Sequence, residues 1–415
     1  MAAGEWLLEI GSGSFGLGTQ ASLMGGEAGA RLAKGNLAGN AAGLEMTAVS
    51  NTMTPPFVSV VMSVFNGERF LREAIESILS QTFRDFEFII INDGSTDGTA
   101  AMLDSYARSD PRVRVYQQEN KGLIESLNRG CGLARGKYLA RMDADDIAVR
   151  DRLMWHVEFM ERHADIGVVG GAMELIDSAG RAWHCIHYPV ENEEIKSALL
   201  LYSPFPHNAV VIRKEAFLSV GGYRRLFVDA EDCDLWLRIA QRWRLANLEA
   251  VVVKYRIHPD QVSYRKLRQQ TLSALAARAF ASLRADGSPE PVISDERITP
   301  EVLVRLGVNQ ATQQRALVGI YAFWIGLMSR ASQDDAVLRL FEELIDLSRP
   351  GPVDRYALSY AMLSAARTHY RRGSPVRALV YVGRALLARP VIAGRPLKRA
   401  LNSFFRRFKG EEGRA

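Results

Sequence analysis

Between residues 57 and 263, short apolar runs alternate with stretches whose apolar residues recur every three or four positions. The run VSVVMSV (58–64) is short and rich in valine, which predicts a strand buried on both faces of a parallel sheet. The next stretch carries apolar residues at helical spacing: Phe70, Leu71, Ala74, Ile75, Ile78 and Leu79. This region therefore opens with a strand followed by an amphipathic helix.

The same alternation continues through three more predicted strands. These strands are expected at 86–91, 113–116 and 138–142, with helices at 96–106 and 122–134 between them. Strands that alternate with helices are typical of a parallel sheet joined by right-handed crossovers. We therefore expect an α/β domain with a mostly parallel central sheet, followed by an α-helical carboxyl-terminal region.

Changes in composition divide the chain into three parts. Residues 1–54 are rich in Gly, Ala and Ser with little periodicity, which predicts a disordered extension. The α/β domain is assigned to 55–264 and the helical region to 265–415. Within the latter, 356–390 predicts two amphipathic helices around a Gly-Ser-Pro turn and resembles a tetratricopeptide hairpin, a unit that cannot bury its own apolar face alone.

Polar residues follow three of the predicted strands, at the sheet edge where open α/β proteins bind ligands. They are Ser63, Phe65 and Asn66 after the first strand, Asn92, Asp93 and Asp97 after the second, and Asp143, Asp145 and Asp146 after the fourth. Carboxylates collected at one edge repel each other, and a bound Mg²⁺ or Mn²⁺ would relieve that repulsion. The structural alternative is that these aspartates cap helices and form turns, and Asp146 in particular is expected to cap the next helix. Between residues 57 and 263, neither a GxxxxGK[ST] nor a GxGxxG motif is present.

Charge and cysteine content bear on partners and location. The net charge of +5 divides into +11 from Ala366 onward and −6 for the rest. Residues 396–410 mix apolar and basic residues in a pattern typical of an interfacial helix on anionic lipid, although a helix docked on the protein would show the same pattern. The cysteines Cys131, Cys185 and Cys233 lack metal-site spacing and fit reduced thiols in a cytosolic protein.

A family resemblance rests on four motifs in order. They are VSVVMSVFNGERFLREAIESILSQTFRDFEFIIINDGSTDGT, NKGLIESLNRGCGLARGKYLARMDADD, HNAVVIRKEAFLSVGGYRRLFVDAEDCDLWLRIA and YRIHPDQVS. Together they resemble the family 2 glycosyltransferases of GT-A fold over residues 57–263, about half the chain. The resemblance implies transfer of a sugar, with inversion, from a nucleotide-sugar to a hydroxyl group.

The resemblance also implies roles for the residues at the donor. Ser63, Phe65 and Asn66 would line the nucleotide pocket, and Asp93 would accept a hydrogen bond from the base, often uracil N3–H. Asp143 and Asp145 would form the DxD pair, with Asp145 on the metal and Asp143 on the ribose or the metal. Lys121 and Arg141 are expected to add positive charge near the donor, or to be surface residues. Arg256 and His258 alternate on an extended segment and are expected to face the diphosphate together.

On the acceptor side, the resemblance makes Asp232 the candidate general base in AEDCDLW (230–236). Glu231 beside it is expected to raise the pKa of Asp232 or to contact the acceptor. The alternative is a helix amino terminus that favours acidic residues, and both can hold together. His207 is expected on a strand near the acceptor, or as a structural residue.

These observations predict a cytoplasmic, membrane-peripheral, metal-dependent glycosyltransferase that uses a UDP-sugar and a glycan or lipid-linked acceptor in surface polysaccharide synthesis. Contact with anionic membrane is expected through 396–410, and no nucleic-acid partner is expected, because the α/β region lacks aromatic-interleaved basic patches. The alternatives are a non-catalytic nucleotide-sugar or nucleic-acid binding protein, and a metal-dependent nucleotidyltransferase.

Overall fold

The computed structural model describes residues 55–294, 297–348 and 355–388. The predicted extension at 1–54 and the predicted basic helix at 396–410 lie outside these ranges. Over the described ranges, no helix combines the length and apolarity needed to cross a bilayer.

The described residues form a sheet and a set of surrounding helices. The strands are β1 (Val58–Val64), β2 (Phe86–Asp93), β3 (Val113–Gln118), β4 (Tyr138–Met142), β5 (Ile147–Ala148), β6 (Ile166–Ile176), β7 (Ala182–Ile186), β8 (Val211–Arg213) and β9 (Arg244–Arg256). The helices are α1 (Leu71–Leu79), α2 (Thr99–Ser109), α3 (Leu123–Leu133), α4 (Arg152–Arg162), α5 (Asn192–Leu199), α6 (Lys214–Ser219), α7 (Glu231–Ile239), α8 (Val262–Arg265), α9 (Leu267–Ala285), α10 (Pro300–Arg305), α11 (Gln310–Arg330), α12 (Asp334–Ser348), α13 (Arg355–Arg371) and α14 (Pro375–Ala388).

The sheet has the strand order β3-β2-β1-β4-β8-β6-β9-β5, and β7 pairs with β6. Strands β1 to β4 pair in parallel, as predicted. Strand β8 then enters antiparallel between β4 and β6, while β6 and β9 are parallel. The predicted fold class is confirmed, with a parallel first half and a mixed second half.

Alternate residues of β1 enter two different cores. Val60 and Met62 pack on one face with Leu71 of α1, whereas Val61 packs on the opposite face with Leu127 of α3. All five side chains are buried. Because helices cover both faces, apolar residues are favoured on both sides of the strand, which is the pattern of the valine-rich run.

Helix α2 begins at Thr99, three residues later than its predicted start. Asp97 explains the shift, because its Oδ1 accepts from the backbone N–H of Thr99 at 3.0 Å. Its Oδ2 accepts from the N–H of Glu68 at 3.2 Å, which joins this turn to the loop after β1. Asp97 therefore satisfies backbone donors near a helix start, as in the structural alternative.

The helical region shares a core with the α/β domain. Helix α9 packs Leu275 and Phe280 into the core that contains Trp236 of α7, and the Phe280 ring lies 5.4 Å from that of Phe227. Helices α11 to α13 form a further core that includes Ile257, just after β9. Helices α13 and α14 occupy most of 356–390, and their assignment as a tetratricopeptide hairpin stays a prediction.

Candidate active site

The ends of β1 and β2 are tied together by Asn66. Its Oδ1 accepts from the backbone N–H of Thr96 at 2.8 Å, and its own N–H donates to Oγ of Ser95 at 2.9 Å. Asn66 has a φ of 52°, a left-handed conformation that asparagine tolerates well. Beside it, Ser63 is half-buried and the Phe65 residue is 52% exposed, so Phe65 offers an accessible aromatic ring at this sheet edge.

Asp93 is buried at the end of β2 and holds the loop that follows β3. Its carboxylate accepts from Nε2 of Gln118 at 2.6 Å and from the backbone N–H groups of Lys121 and Gly122, each at 2.9 Å. A carboxylate has about four acceptor positions, which leaves one for a further donor. Lys121 meets this site through its backbone, while its side chain is exposed.

Three aspartates that follow β4 form an acid cluster: Asp143, Asp145 and Asp146. Their ligand oxygens lie within 4.8 Å of one another. Asp93 and Asp97, which lie at and just after the end of β2 on the same side of the sheet, do not belong to this group. The reason is local, because hydrogen bonds to backbone N–H groups already hold the carboxylates of Asp93 and Asp97.

Asp146 does not cap a helix, contrary to the structural alternative. It is buried, and its carboxylate accepts from the backbone N–H of Arg256 at 2.7 Å and from the side-chain amide of Asn208. Burial, and then the charges of Asp145 and Asp143, raise the pKa of Asp146 well above its usual range. Helix α4 starts only at Arg152, because β5 intervenes.

Arg256 and His258 both reach the acid cluster, as their alternation on an extended segment predicts. Nε2 of His258 lies 3.0 Å from Oδ2 of Asp145, and Nε of Arg256 donates to the backbone carbonyl of Asp145 at 2.9 Å. The Phe70 ring supports both, with the guanidinium of Arg256 at 4.5 Å and the His258 ring at 5.0 Å. Arg256 is also paired with Glu73 at 2.9 Å, so its charge is shared.

Glu231 and Asp232 form an acid pair in the first turn of α7. Glu231 is buried and Asp232 is half-buried. Burial, followed by the charge of Asp232, raises the pKa of Glu231 to about 8. Burial also raises the pKa of Asp232 to about 6, although the backbone N–H of Cys233, which donates to its Oδ1 at 2.7 Å, opposes this. At neutral pH the pair therefore holds one proton, on Glu231.

Arg141 connects the acid cluster with the acid pair. Its buried guanidinium forms an ion pair with Asp143, and its charge lowers the pKa values of both Glu231 and Asp232 against the effect of burial. Its Nε has no hydrogen-bond partner among the described residues. The two groups of acids, about ninety positions apart in the sequence, therefore face one guanidinium.

Comparison with known proteins agrees with this arrangement. The family model for glycosyl transferase family 2 matches residues 59–227. The O-antigen biosynthesis glycosyltransferase WbnJ of Escherichia coli is 33% identical over 233 residues, which are 55% of this chain and 90% of that protein. The chain belongs to glycosyltransferase family 2. It is a glycosyltransferase with a GT-A domain followed by a helical region.

Two further similarities are to a glycosyltransferase of polysaccharide synthesis and to a solved structure. The amylovoran biosynthesis glycosyltransferase AmsE of Erwinia amylovora is 32% identical over 212 residues, covering 50% of this chain and 79% of that protein. The crystal structure of S. aureus TarS 1–349 in complex with UDP-GlcNAc is 16% identical, with a TM-score of 0.45 over 79% of this chain and 90% of that chain.

The acid cluster of this family 2 enzyme fits a divalent cation. Asp143, Asp145 and Asp146 offer hard oxygen ligands, which Mg²⁺ and Mn²⁺ prefer, and His258 adds a nitrogen that Mn²⁺ accepts. The Arg141 ion pair compensates only part of the negative charge of the cluster. The carboxylate excess thus supports a divalent metal, and the geometry by itself does not select between the two ions.

The expectation that His207 lies on a strand is wrong. It begins a 3₁₀ turn, His207–Ala209, closed by a hydrogen bond of 2.9 Å from the Ala209 N–H to the Pro206 carbonyl. Its Nε2 lies 2.8 Å from the hydroxyl of Tyr223, and its Nδ1 lies 3.8 Å from Oε1 of Glu231. Burial and the charge of Arg141 hold the pKa of His207 well below its usual range, so the ring is neutral.

Sequence reasoning missed two arginines at the site. Arg152, fully buried on α4, donates to the Arg141 carbonyl at 2.6 Å, and burial lowers its pKa to about 9. A charged residue on the apolar face of α4 is the signal that could have identified it. Arg278 lies on α9, where its Nε donates to the Leu199 carbonyl at 3.0 Å and its charge lowers the pKa of Asp232. No motif marks Arg278, because it belongs to the helical region.

Proposed function

We propose that this enzyme transfers a sugar from a UDP-sugar to a hydroxyl group of a glycan or lipid-linked acceptor, with inversion at the anomeric carbon. The observation that carries the proposal is that the buried guanidinium of Arg141 is ion-paired with Asp143 of the acid cluster and is also near enough to lower the pKa values of Glu231 and Asp232. A diphosphate bound at the cluster then has its sugar directed toward Asp232. That is the arrangement that attack by a hydroxyl group requires.

The donor is assigned to the edge formed by β1, β2 and β4. The remaining acceptor position of Asp93 suits the N3–H of uracil, and the exposed Phe65 ring suits a base or ribose. Ser63, Asn66 and Lys121 complete the nucleotide side. Arg256 and His258 lie at the cluster, where they would contact the donor diphosphate.

Asp145 and Asp143 are assigned as ligands of Mn²⁺ or Mg²⁺, with Asp146 and His258 beside them. When bound, the cation supplies positive charge that stabilises the departing nucleoside diphosphate. The protein's own contribution is to gather the carboxylates and to hold Asp143 in place through Arg141.

Asp232 is assigned as the general base. With a pKa of about 6 it is ionised at neutral pH, and its Oδ2 takes the proton of the acceptor hydroxyl. The hydroxyl oxygen bonds to the anomeric carbon from the face opposite the diphosphate, whose bond to that carbon breaks, so the configuration inverts. Glu231 stays protonated and can donate a hydrogen bond to the acceptor.

The acceptor class and the location are supported by context. Relatives named for O-antigen and amylovoran synthesis support a role in building a surface polysaccharide. The basic segment 396–410 supports a peripheral position on the cytoplasmic face of an anionic membrane.

A panel of nucleotide-sugars tests the proposal. Purified protein is incubated with UDP-, GDP-, dTDP- and ADP-sugars in Mn²⁺ or in chelator, and release of the nucleoside diphosphate is measured. We expect metal-dependent release from a UDP-sugar, unchanged in Asp104→Asn, whose carboxylate is exposed on α2. Release from another nucleotide class would overturn the UDP assignment, and full release in chelator would overturn the metal assignment.

A further inference from the structure

Helix α14 (Pro375–Ala388) buries only part of its surface. Ala378 and Ala385 face inward and are buried, and helix α14 packs against α13. Other apolar side chains are strongly exposed: Val376 at 73%, Leu379 at 52%, Val380 at 49% and Leu387 at 84%. A helix in a monomeric protein normally turns such residues toward a core, so this exposure requires an explanation.

The exposed side chains form one stripe. At about 100° of rotation per residue, Val376, Leu379, Val380 and Leu387 fall within an arc of roughly 100° opposite the buried alanines. Arg377 and Arg384 are exposed and, seven residues apart, lie along one border of this stripe. We call the stripe and this border the outer face of α14.

The surroundings of the outer face are positively charged. Between Ala366 and Ala388 the sequence contains five arginines and no acidic residue. Arg371 and Arg372 are paired with Asp334 and Asp335 of α12. By contrast, Arg367, Arg377 and Arg384 form no ion pair with any other described residue.

We propose that the outer face of α14 lies on an anionic lipid surface. In this orientation the apolar stripe enters the boundary between headgroups and acyl chains, while Arg377 and Arg384 stay at the level of the headgroup phosphates. This surface lies in the described structure and is distinct from the predicted basic helix at 396–410. It does not depend on the proposed chemistry at Asp232.

Charge favours lipid over the other occupants of the outer face. The 27 residues that follow Ala388 carry a net charge of +6, so folding them back onto α14 would bring like charges together. A second copy of α14 would do the same. Nucleic acid would match the arginines and leave the apolar stripe in water. An anionic bilayer satisfies both parts of the face at once.

Vesicle binding by the full chain tests the contribution of the face. Phosphatidylcholine vesicles are compared with vesicles containing about one third phosphatidylglycerol, because basic residues are attracted to anionic lipid. Arg377→Gln/Arg384→Gln should weaken binding to the anionic vesicles about 25-fold, at roughly fivefold for each charge. Leu379→Ser/Val380→Ser should weaken it as well. The matched controls, Arg108→Gln/Arg162→Gln and Val292→Ser, replace exposed residues on other surfaces and should bind like the wild type.

A fluorescent label shows where α14 lies. An environment-sensitive dye is placed on Leu387→Cys or, as control, on Val292→Cys, with the exposed Cys185 replaced by serine and the buried Cys131 and Cys233 left in place. Anionic vesicles should shift the emission of the Leu387→Cys label to shorter wavelength and leave the control unchanged. A label that already emits at short wavelength without vesicles would show that protein covers the face, and no shift with vesicles would show that it stays in water. Either result overturns the proposal, as does wild-type vesicle binding by both double variants.

Discussion

Replacing Asp232 with asparagine keeps the size of the side chain and removes the charge that is proposed to take the acceptor proton. The hydrogen bond from the Cys233 N–H can still form to the amide oxygen, so the start of α7 should be preserved. General-base catalysis contributes roughly 10²–10⁴-fold, and transfer should fall by about that factor. Donor affinity should stay near the wild-type value, because the substitution leaves Asp93 and the acid cluster unaltered.

The pH profile gives this prediction a second, independent magnitude. With a pKa of about 6, Asp232 is roughly one tenth ionised near pH 5 and nine tenths ionised near pH 7. The wild-type transfer rate should therefore rise about tenfold over this interval, and the residual rate of Asp232→Asn should not.

The assay is the initial rate of nucleoside diphosphate release with acceptor, at saturating donor and Mn²⁺, with Asp104→Asn as control. Donor affinity is measured separately by calorimetry. A variant that retains wild-type transfer would refute the assignment of the base and make Glu231 the next candidate. Loss of donor binding together with transfer would instead place Asp232 in the donor site.

Three further predictions concern the metal, the acid pair and the loop after β3 that Asp93 holds. Asp145→Ala should abolish Mn²⁺-dependent binding of a UDP-sugar without lowering Tm, and full affinity in excess chelator would contradict the proposed ligand. The pKa of Glu231 is raised to about 8, so its deprotonation favours the unfolded state, and wild-type stability should fall as pH rises from about 4.5 to 8. Glu231→Gln should flatten the dependence of Tm on pH over this range, and an unchanged slope would count against a buried proton on Glu231. Gly122→Ala should destabilise the fold by about 1 kcal/mol, because Gly122 has a φ of 86° where it donates to Asp93; Gly132→Ala, in the neighbouring α3 with open space at its Cβ, should stabilise it by about 0.5–1 kcal/mol in the same denaturation experiment.

The first four strands could be predicted from the sequence because their signals are local. A strand covered on both faces favours a mostly apolar run, and β1, β2 and β4 each show one with few polar residues. A parallel order follows from the helices between them, and it brings the strand ends to one edge. The acid cluster after β4 was therefore predictable as a group. The position of Arg256 and His258 beside one site was also predictable, from their alternation on an extended segment.

What the tertiary structure decided depends on contacts between distant parts of the chain. Asp97 and Asp146 both follow a strand of the sheet, and the sequence offers the same interpretations for both. In the structure, Asp97 accepts hydrogen bonds from backbone N–H groups near a helix start, whereas Asp146 accepts them from Asn208 and from the backbone of Arg256. Strand β8 enters antiparallel between β4 and β6, and the turn before it places His207 beside Glu231. Such pairings are set by packing over long sequence separations, which residue periodicity does not encode.

The role of Arg141 shows the same division most clearly. The sequence by itself determined that a basic residue precedes the acid cluster and that an acid pair opens a later helix. Only the folded chain decided that one buried guanidinium faces both, and that Arg278 of the helical region adds its charge at Asp232. The physical reason is that electrostatic effects depend on distance and burial in space, and these are fixed only when α7 and α9 pack on the sheet.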